Sequence, residues 1–354
     1  DTTVVGALRG AGQGGTPGAP DSVAAAIPAV QAAYDPRRPG ALVPTLDRLA
    51  RALRPCLATE EGGALHRRLA AAWALATGVA VEAEVPREVV AIGDTLTARV
   101  TLYNRGRHAV HARLGYADVA DLRSGTPVPP DSSVTFTVPL RGGRVVLPNV
   151  EYREPETPTQ PWWLVAPRRG DMFAPTGGIG RDETMDGLTI PVWVSVDDAR
   201  SAGFVVRAPV VHRFADPVRG EIRRPLAAAP ALSVTLDHAV QYARANAPLD
   251  RVVQVRLRSA ATGPRTATVR LELPPGLAAD SAARTVTLPR HGAQGTAEFR
   301  VRGTLRHGRH VVRAVAESAG ERFASGYALV DYEHIRPQRL YRPAQTAVEA
   351  VDVA

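Results

Sequence analysis

Between Leu96 and Leu140 the chain places an apolar residue at every second position, and it does so again between Val252 and Val301. A period of two sends successive side chains to opposite faces of an extended backbone, so this pattern demands strands with one buried and one wet face. In the first copy Leu96, Ala98, Val100 and Leu102 alternate with Thr95, Thr97, Arg99 and Thr101. After Asn104-Arg105-Gly106, Val110, Ala112, Leu114 and Tyr116 alternate with His111, Arg113 and Gly115. A Gly-containing turn between two such runs predicts an antiparallel hairpin. Val134, Phe136, Val138 and Leu140 supply a third strand. The later copy repeats the scheme: Val253, Val255 and Leu257, a turn at Thr262-Gly263-Pro264, then Ala267, Val269, Leu271 and Leu273, with Ala297, Phe299 and Val301 as third strand.

Two copies in 354 residues suit a chain of roughly two domains, each able to bury its own core. Only 5% of residues are aromatic, so those cores rest on Val, Leu and Ala. The formal charge is +8, and all 43 basic residues are arginine. The absence of lysine reads as a bias of the coding sequence. The arginines stand singly at outward positions of alternating strands, which describes a solvated basic surface and argues against nucleic acid as a partner. The single cysteine, Cys56, excludes an intrachain disulfide. No apolar run approaches the ~20 residues of a membrane span. The chain opens Asp1-Thr2-Thr3, without Met or a leader-like apolar region, so the expectation is a processed protein or a piece of a longer one.

In chain order, residues 1–40 form a flexible or partly ordered N-terminal segment, because the Gly/Pro/Ala stretch from Gly10 to Pro20 has little to bury. Residues 41–82 form a helical connector. Leu46, Leu49 and Leu53 lie at helical spacing before Pro55. Thr59 caps a second helix whose stripe is Leu65, Leu69 and Trp73 and whose end is Gly78. Residues 83–224 make a first β-sandwich with a long loop insertion, and 225–335 a second, Ig-like one. Residues 223–230 read as an extended linker. Residues 336–354 read as a polar surface tail, partly disordered beyond Pro343. The fold class is mainly β: two Ig-like antiparallel β-sandwiches behind a short helical connector.

Few residue groups invite chemistry. His108/His111 and His307/His310 have the His-x-x-His spacing, but on a strand that odd spacing points the rings to opposite faces. Asp182, Glu183 and Asp186 lack the ladder of oxygen ligands that a calcium loop needs. Gly177-Gly178-Ile179-Gly180 lacks the Lys and strand-to-helix context of a phosphate loop. The remaining candidate is aromatic: Trp162 and Trp163, with Tyr152 and Trp193, on or beside one Pro/Gly-rich loop, and Arg168 or Arg169 at hand. Indole faces stack on sugar rings, and guanidinium groups hydrogen-bond to them. The competing reading is that these rings plug the open end of an aromatic-poor sandwich.

Several segments resemble the region beyond the catalytic domain of large bacterial PIG-L (LmbE-like) deacetylases. They are Leu69 to Ala83, Val100 to Gly106, Pro161-Trp162-Trp163-Leu164, Asp216-Pro217-Val218-Arg219-Gly220-Glu221, and Asp331-Tyr332-Glu333-His334-Ile335-Arg336-Pro337-Gln338. The second module is also similar to the NPCBM-associated (NEW3-type) sandwich of carbohydrate-active enzymes. The resemblance implies a secreted or periplasmic zinc N-deacetylase acting on N-acetyl sugars. Its zinc and base sit on a His-Pro-Asp-Asp motif in a separate N-terminal domain. That motif does not occur here. The expectation is therefore an accessory region with no catalytic or metal residue and no cofactor of its own. Its partners are the catalytic domain of the same polypeptide and carbohydrate. The alternative is a free-standing carbohydrate-binding or adhesion module.

Overall fold

A computed structural model describes Gly6, Leu8 and residues 19–57, 59–115, 125–142, 144–145, 157–166, 169, 171–173, 188–196 and 201–352. Helices α1 (Ala19–Ala33), α2 (Val43–Leu53) and α3 (Glu60–Thr77) come first. Next are β1 (Val79–Val85), β2 (Val89–Ala91), β3 (Thr95–Asn104), β4 (Val110–Leu114), β5 (Thr126–Val128), β6 (Ser132–Arg141) and β7 (Arg144–Val145). Then β8 (Thr189–Val196), β9 (Phe204–Asp216), β10 (Gly220–Pro225) and β11 (Ala227–Ala229) lead to the second module. That module holds β12 (Leu232–Leu236), β13 (Val240–Arg244), β14 (Pro248–Ser259), β15 (Arg265–Glu272), β16 (Leu277–Ala279) and β17 (Arg284–Leu288). It ends with β18 (Gln294–Thr304), β19 (Gly308–Ser318), β20 (Glu321–Phe323), β21 (Ser325–Val330), β22 (Gln338–Pro343) and β23 (Gln345–Val351). The chain is mainly β, with several sheets behind an N-terminal helical segment.

The alternating runs are strands, and their apolar sides are the buried ones: Leu96, Ala98, Val100 and Leu102 on β3, Val253, Val255 and Leu257 on β14. The expected hairpins are not hairpins. β3 pairs with β1 and β6, whereas β4 pairs with β5 and β8. Likewise β14 pairs with β12 and β18, whereas β15 pairs with β17 and β19. Each turn is an arch that carries the chain across the core. The apolar faces of β3 and of β4 and β8 then meet in one cluster, and so do those of β14 and β15 in another. A period of two looks the same in a hairpin and an arch. What marks this arch is Asn104, which is fully buried. Its Nδ2 donates to the carbonyls of His108 and Val128, both at 2.9 Å, and its Oδ1 accepts from the Gly106 N–H at 3.0 Å. The third strands fall as expected, β6 on β3 and β18 on β14.

Strand β9 is where the first sheet turns over. Its first half lies antiparallel to β8, and Val210 to His212 then run parallel to β1 while β10 folds back on its end. The helices dock on this strand. Thr59 Oγ1 accepts from Gly62 N at 3.0 Å, and Gly78 ends α3 with φ +75°. A Cβ at Gly78 would lie 2.7 Å from the Gly106 nitrogen, so the helix end and the first arch meet backbone to backbone. Trp73 is fully buried, 5.0 Å from the Phe204 ring of β9. Its indole donates to Asp47 Oδ1 at 3.1 Å, and the Ala202 N–H donates to the same oxygen at 3.2 Å. One buried carboxylate thus ties α2, α3 and the start of β9, its lone pairs met by donors that repay its desolvation.

Two boundaries, those of the linker and the tail, differ from the sequence reading. Within the segment taken as flexible or partly ordered, the Ala-rich run Ala19–Ala33 is helical, with Val23 fully buried. The extended linker is a pairing strand: β10 ladders with β9, and β11 lies parallel to β2 with all six paired residues buried. Val89, Ala91, Ala229, Ala231, Ala260 and Ala261 form a small apolar cluster joining the modules. The tail is also structural. β23 runs between β13 and β19, with Thr346, Ala347, Val348 and Ala350 buried, so the second sandwich extends through Val351.

Candidate functional site

Where β9, β10 and β11 leave the first sandwich, they face the 331–337 connector between β21 and β22. The space between them is a cleft of about 1300 Å³. Its parts are held by local hydrogen bonds. Asp216 Oδ1 accepts from the Val218 and Arg219 N–H groups, both at 2.9 Å, which fixes the turn that carries Arg219. The hydrogen bond from Arg219 N–H is the main reason that the Asp216 carboxyl titrates below the usual carboxylate range. Thr159 brackets Ala228 with two bonds of 2.9 Å, one from its own N–H to the Ala228 carbonyl and one accepted by its hydroxyl from the Ala228 N–H. That seats the short 3₁₀ turn Trp162–Leu164 against the joint and brings a half-buried Trp163 into the cleft.

The back wall is ionic. Glu88 accepts from Arg224 Nη1 at 3.2 Å and from Arg339 Nη2, and Arg224 also reaches Asp331. Arg339 is 7% exposed. Its guanidinium carbon lies 5.6 Å from the centre of the Tyr327 ring, whose neighbour is Tyr341 at 5.3 Å. Burial pushes the Tyr341 hydroxyl above its ordinary titration range. Glu88 comes from the first module and Arg339 from the second, so this cluster also binds the modules together. The front is aromatic and open: Tyr332 is 61% exposed, and its ring lies 6.0 Å from that of His334, nearly parallel to it.

The sequence candidates are scattered. Trp163 lines the cleft. Trp193 does not. It sits on β8 opposite Arg113 and Val205, nearly buried under Gly203, where a Cβ would come within 2.1 Å of its ring and where φ is +59°. Trp193 therefore covers its sheet away from the cleft that Trp163 lines. Tyr152, Arg168, the Trp162 side chain, the acidic loop group and Gly177 to Gly180 lie outside the described residues. His111 is on β4 and His108 in the arch. His307 Nδ1 is 3.2 Å from Asp352, and His310 Nε2 is 2.8 Å from the Arg306 carbonyl. Among the described residues no three His, Cys, Asp or Glu side chains gather as a metal site. Cys56 is buried, which pushes its thiol up. Among the described residues no helix is long and apolar enough to cross a membrane.

Sequence reasoning passed over Glu88, Arg219, Tyr332, His334, Arg336 and Arg339 as site residues. Arg219, Tyr332, His334 and Arg336 lie in two short runs singled out in the sequence, 216–221 and 331–338, whereas Glu88 and Arg339 lie in neither.

No protein-family model matches the chain, and no curated protein matches it. Among solved structures, 83% of the chain is similar to red sea bream transglutaminase at 14% identity and TM-score 0.29, spanning 34% of that protein. It is also similar over 77% of its length to the native conformation of E. coli alpha-2-macroglobulin, at 12% identity and TM-score 0.26, spanning 17% of it. The chain covers about a third or less of either protein.

Proposed function

We propose that these residues are the accessory β-sandwich region of a secreted or periplasmic zinc-dependent N-deacetylase, supporting its catalytic domain and presenting N-acetyl sugar chains to it. One observation carries the reading. Three segments that resemble the same enzyme family, around Trp163, around Arg219 and from Asp331 to Gln338, are far apart in sequence yet line one inter-module cleft. Residues serving only the two cores would have no reason to meet there. The cleft combines aromatic faces with guanidinium donors, the pairing that recognises saccharides. Zinc chemistry belongs to the catalytic domain, and no step of it is assigned to this chain.

The test is acetate release by the polypeptide that carries this region, compared with the same polypeptide lacking residues 41–352. Presentation acts through binding to remote parts of a long substrate. The deletion should therefore lower kcat/KM on an N-acetylated polysaccharide at least tenfold while leaving an N-acetyl monosaccharide unaffected. Equal loss on both would mean that the region only supports the fold of the catalytic domain. An open reading frame with no deacetylase domain attached would favour the free-standing carbohydrate-binding module instead.

A further inference from the structure

The arginines of the cleft divide into two groups. Arg224 and Arg339 are committed to Glu88, and Arg223 is held by Glu221, with Nε to Oε1 at 2.7 Å, and by Glu82 at 3.2 Å. Among the described residues Arg219 makes one ion pair, with Glu333 at 3.2 Å, the two side chains 54% and 81% exposed, and it also lies near enough to Asp216 to lower that carboxyl's titration. Pairs so exposed contribute little and exchange readily with another anion. Arg336 is exposed and makes no ion pair among the described residues. Two cationic groups are therefore available in the cleft whose lining also includes Trp163 and Tyr332.

We propose that the cleft selects an acidic oligosaccharide, one in which carboxylate-bearing sugars alternate with neutral ones. The inference rests on the glycan-presenting reading above and names the ligand class. Each part of the cleft matches such a chain. Guanidinium groups take carboxylates as paired N–H donors, and the aromatic faces take the C–H surfaces of the rings between them. The volume of about 1300 Å³ exceeds the roughly 300–1,000 Å³ of a pocket for one small molecule, so several linked rings fit. Sparse charge matters as well. Glu88, Asp331 and Glu333 share the walls with the arginines, and a phosphate at every residue of a nucleic acid would run against them.

The experiment is calorimetric titration of the whole chain with an oligosaccharide of alternating glucuronic acid and N-acetylglucosamine. Controls are an N-acetylglucosamine oligomer of the same length and single-stranded DNA of equal charge. The acidic oligosaccharide should bind at least tenfold more tightly than either control. Arg336→Ala should remove that preference, Arg336→Lys should restore part of it, and Arg270→Ala on the far sheet should change nothing. Far-ultraviolet circular dichroism and melting temperature confirm that each variant is folded. If the neutral oligomer binds as well and Arg336→Ala has no effect, charge selection is wrong while presentation of N-acetyl sugars stands. If DNA binds equally, the cleft is a general polyanion surface and the inference is wrong. If no glycan binds, the ligand class is wrong, and the acetate-release comparison still judges the accessory role.

Discussion

In the first sandwich the largest fully buried side chain, Trp73, comes from a helix; in the second the core is drawn from strands and the short turns between them, such as those of Leu305 and Ala344. Both modules run a strand, an arch, a strand on the facing side of the core and a third strand back on the first. They differ in how the plan is completed. The first has a sheet that turns over at β9 and leaves the region of Phe204 to be filled from outside, by Trp73 and by His66, whose ring is 5.7 Å from Phe204. Burial lowers the His66 titration below its ordinary value, with the neighbouring Arg67 adding to the effect. The second closes with its own last strand, β23, and fastens its outer faces with arginine–carboxylate pairs such as Arg300 and Arg302 on Asp250. The same alternating pattern thus needs a docked helix in one place and an added strand in another. The helical connector is part of the first fold.

The comparison is tested most severely by truncating the two cores. Trp73→Ala and Phe299→Ala should each cost about 3–5 kcal/mol, followed by urea unfolding with probes in both modules. Trp73→Ala should lower the transition of the first sandwich alone, and Phe299→Ala that of the second. A single transition shifted by both would show that the modules unfold as one unit. A smaller effect sharpens the boundary: Glu88→Ala leaves the buried Arg339 without its carboxylate and should cost about 1–3 kcal/mol. The two unfolding midpoints should then move apart; unchanged midpoints would assign the coupling to the β2–β11 ladder alone.

The smallest effect is one of pH. The Asp250 carboxyl is held down to about 2, chiefly by its hydrogen bond from Arg300 and also by Arg302. Because the folded value lies below the ordinary carboxylate value of 3.8, the contribution is complete above that value and is lost as pH falls toward 2. Both partners are exposed, so the drop should be slight. Over that range the melting temperature of the second sandwich should fall more in the parent than in Asp250→Asn; parallel curves would show that the pair is inert.

Much of this architecture is legible residue by residue. The alternating runs give β3, β4, β14 and β15 their buried faces, Thr59 and Gly78 mark the ends of α3, and Leu69 and Trp73 mark its docked side. Each of these is a local property of a few neighbouring residues. What escaped depends on partners far along the chain. Ala227–Ala229 carries no β-branched residue and becomes a strand because Val89–Ala91 offers it a ladder. Gln345–Val351 shows only a short alternation after a polar stretch, and the open side of β19 recruits it. The cleft was hidden for the same reason: Glu88 and Arg339 lie about 250 residues apart, and neither is unusual beside its sequence neighbours. Trp193 carried both readings for a similar reason: a tryptophan near a loop looks alike in sequence whether it caps a sheet or faces water.

The parallel ladder of β2 and β11 has a consequence for how the protein is made. Among the described residues β2 pairs with no other strand, so until β11 leaves the ribosome its N–H and carbonyl groups have no ladder to join. Ala227 emerges about 140 residues after Val89, which at ~5–20 residues per second is roughly 7–28 s. For that interval the nascent first sandwich carries an unpaired apolar strand, the kind of edge through which chains associate. The strand that covers it is also the first piece of the second module, so completion of one sandwich on the ribosome is timed by the arrival of the other.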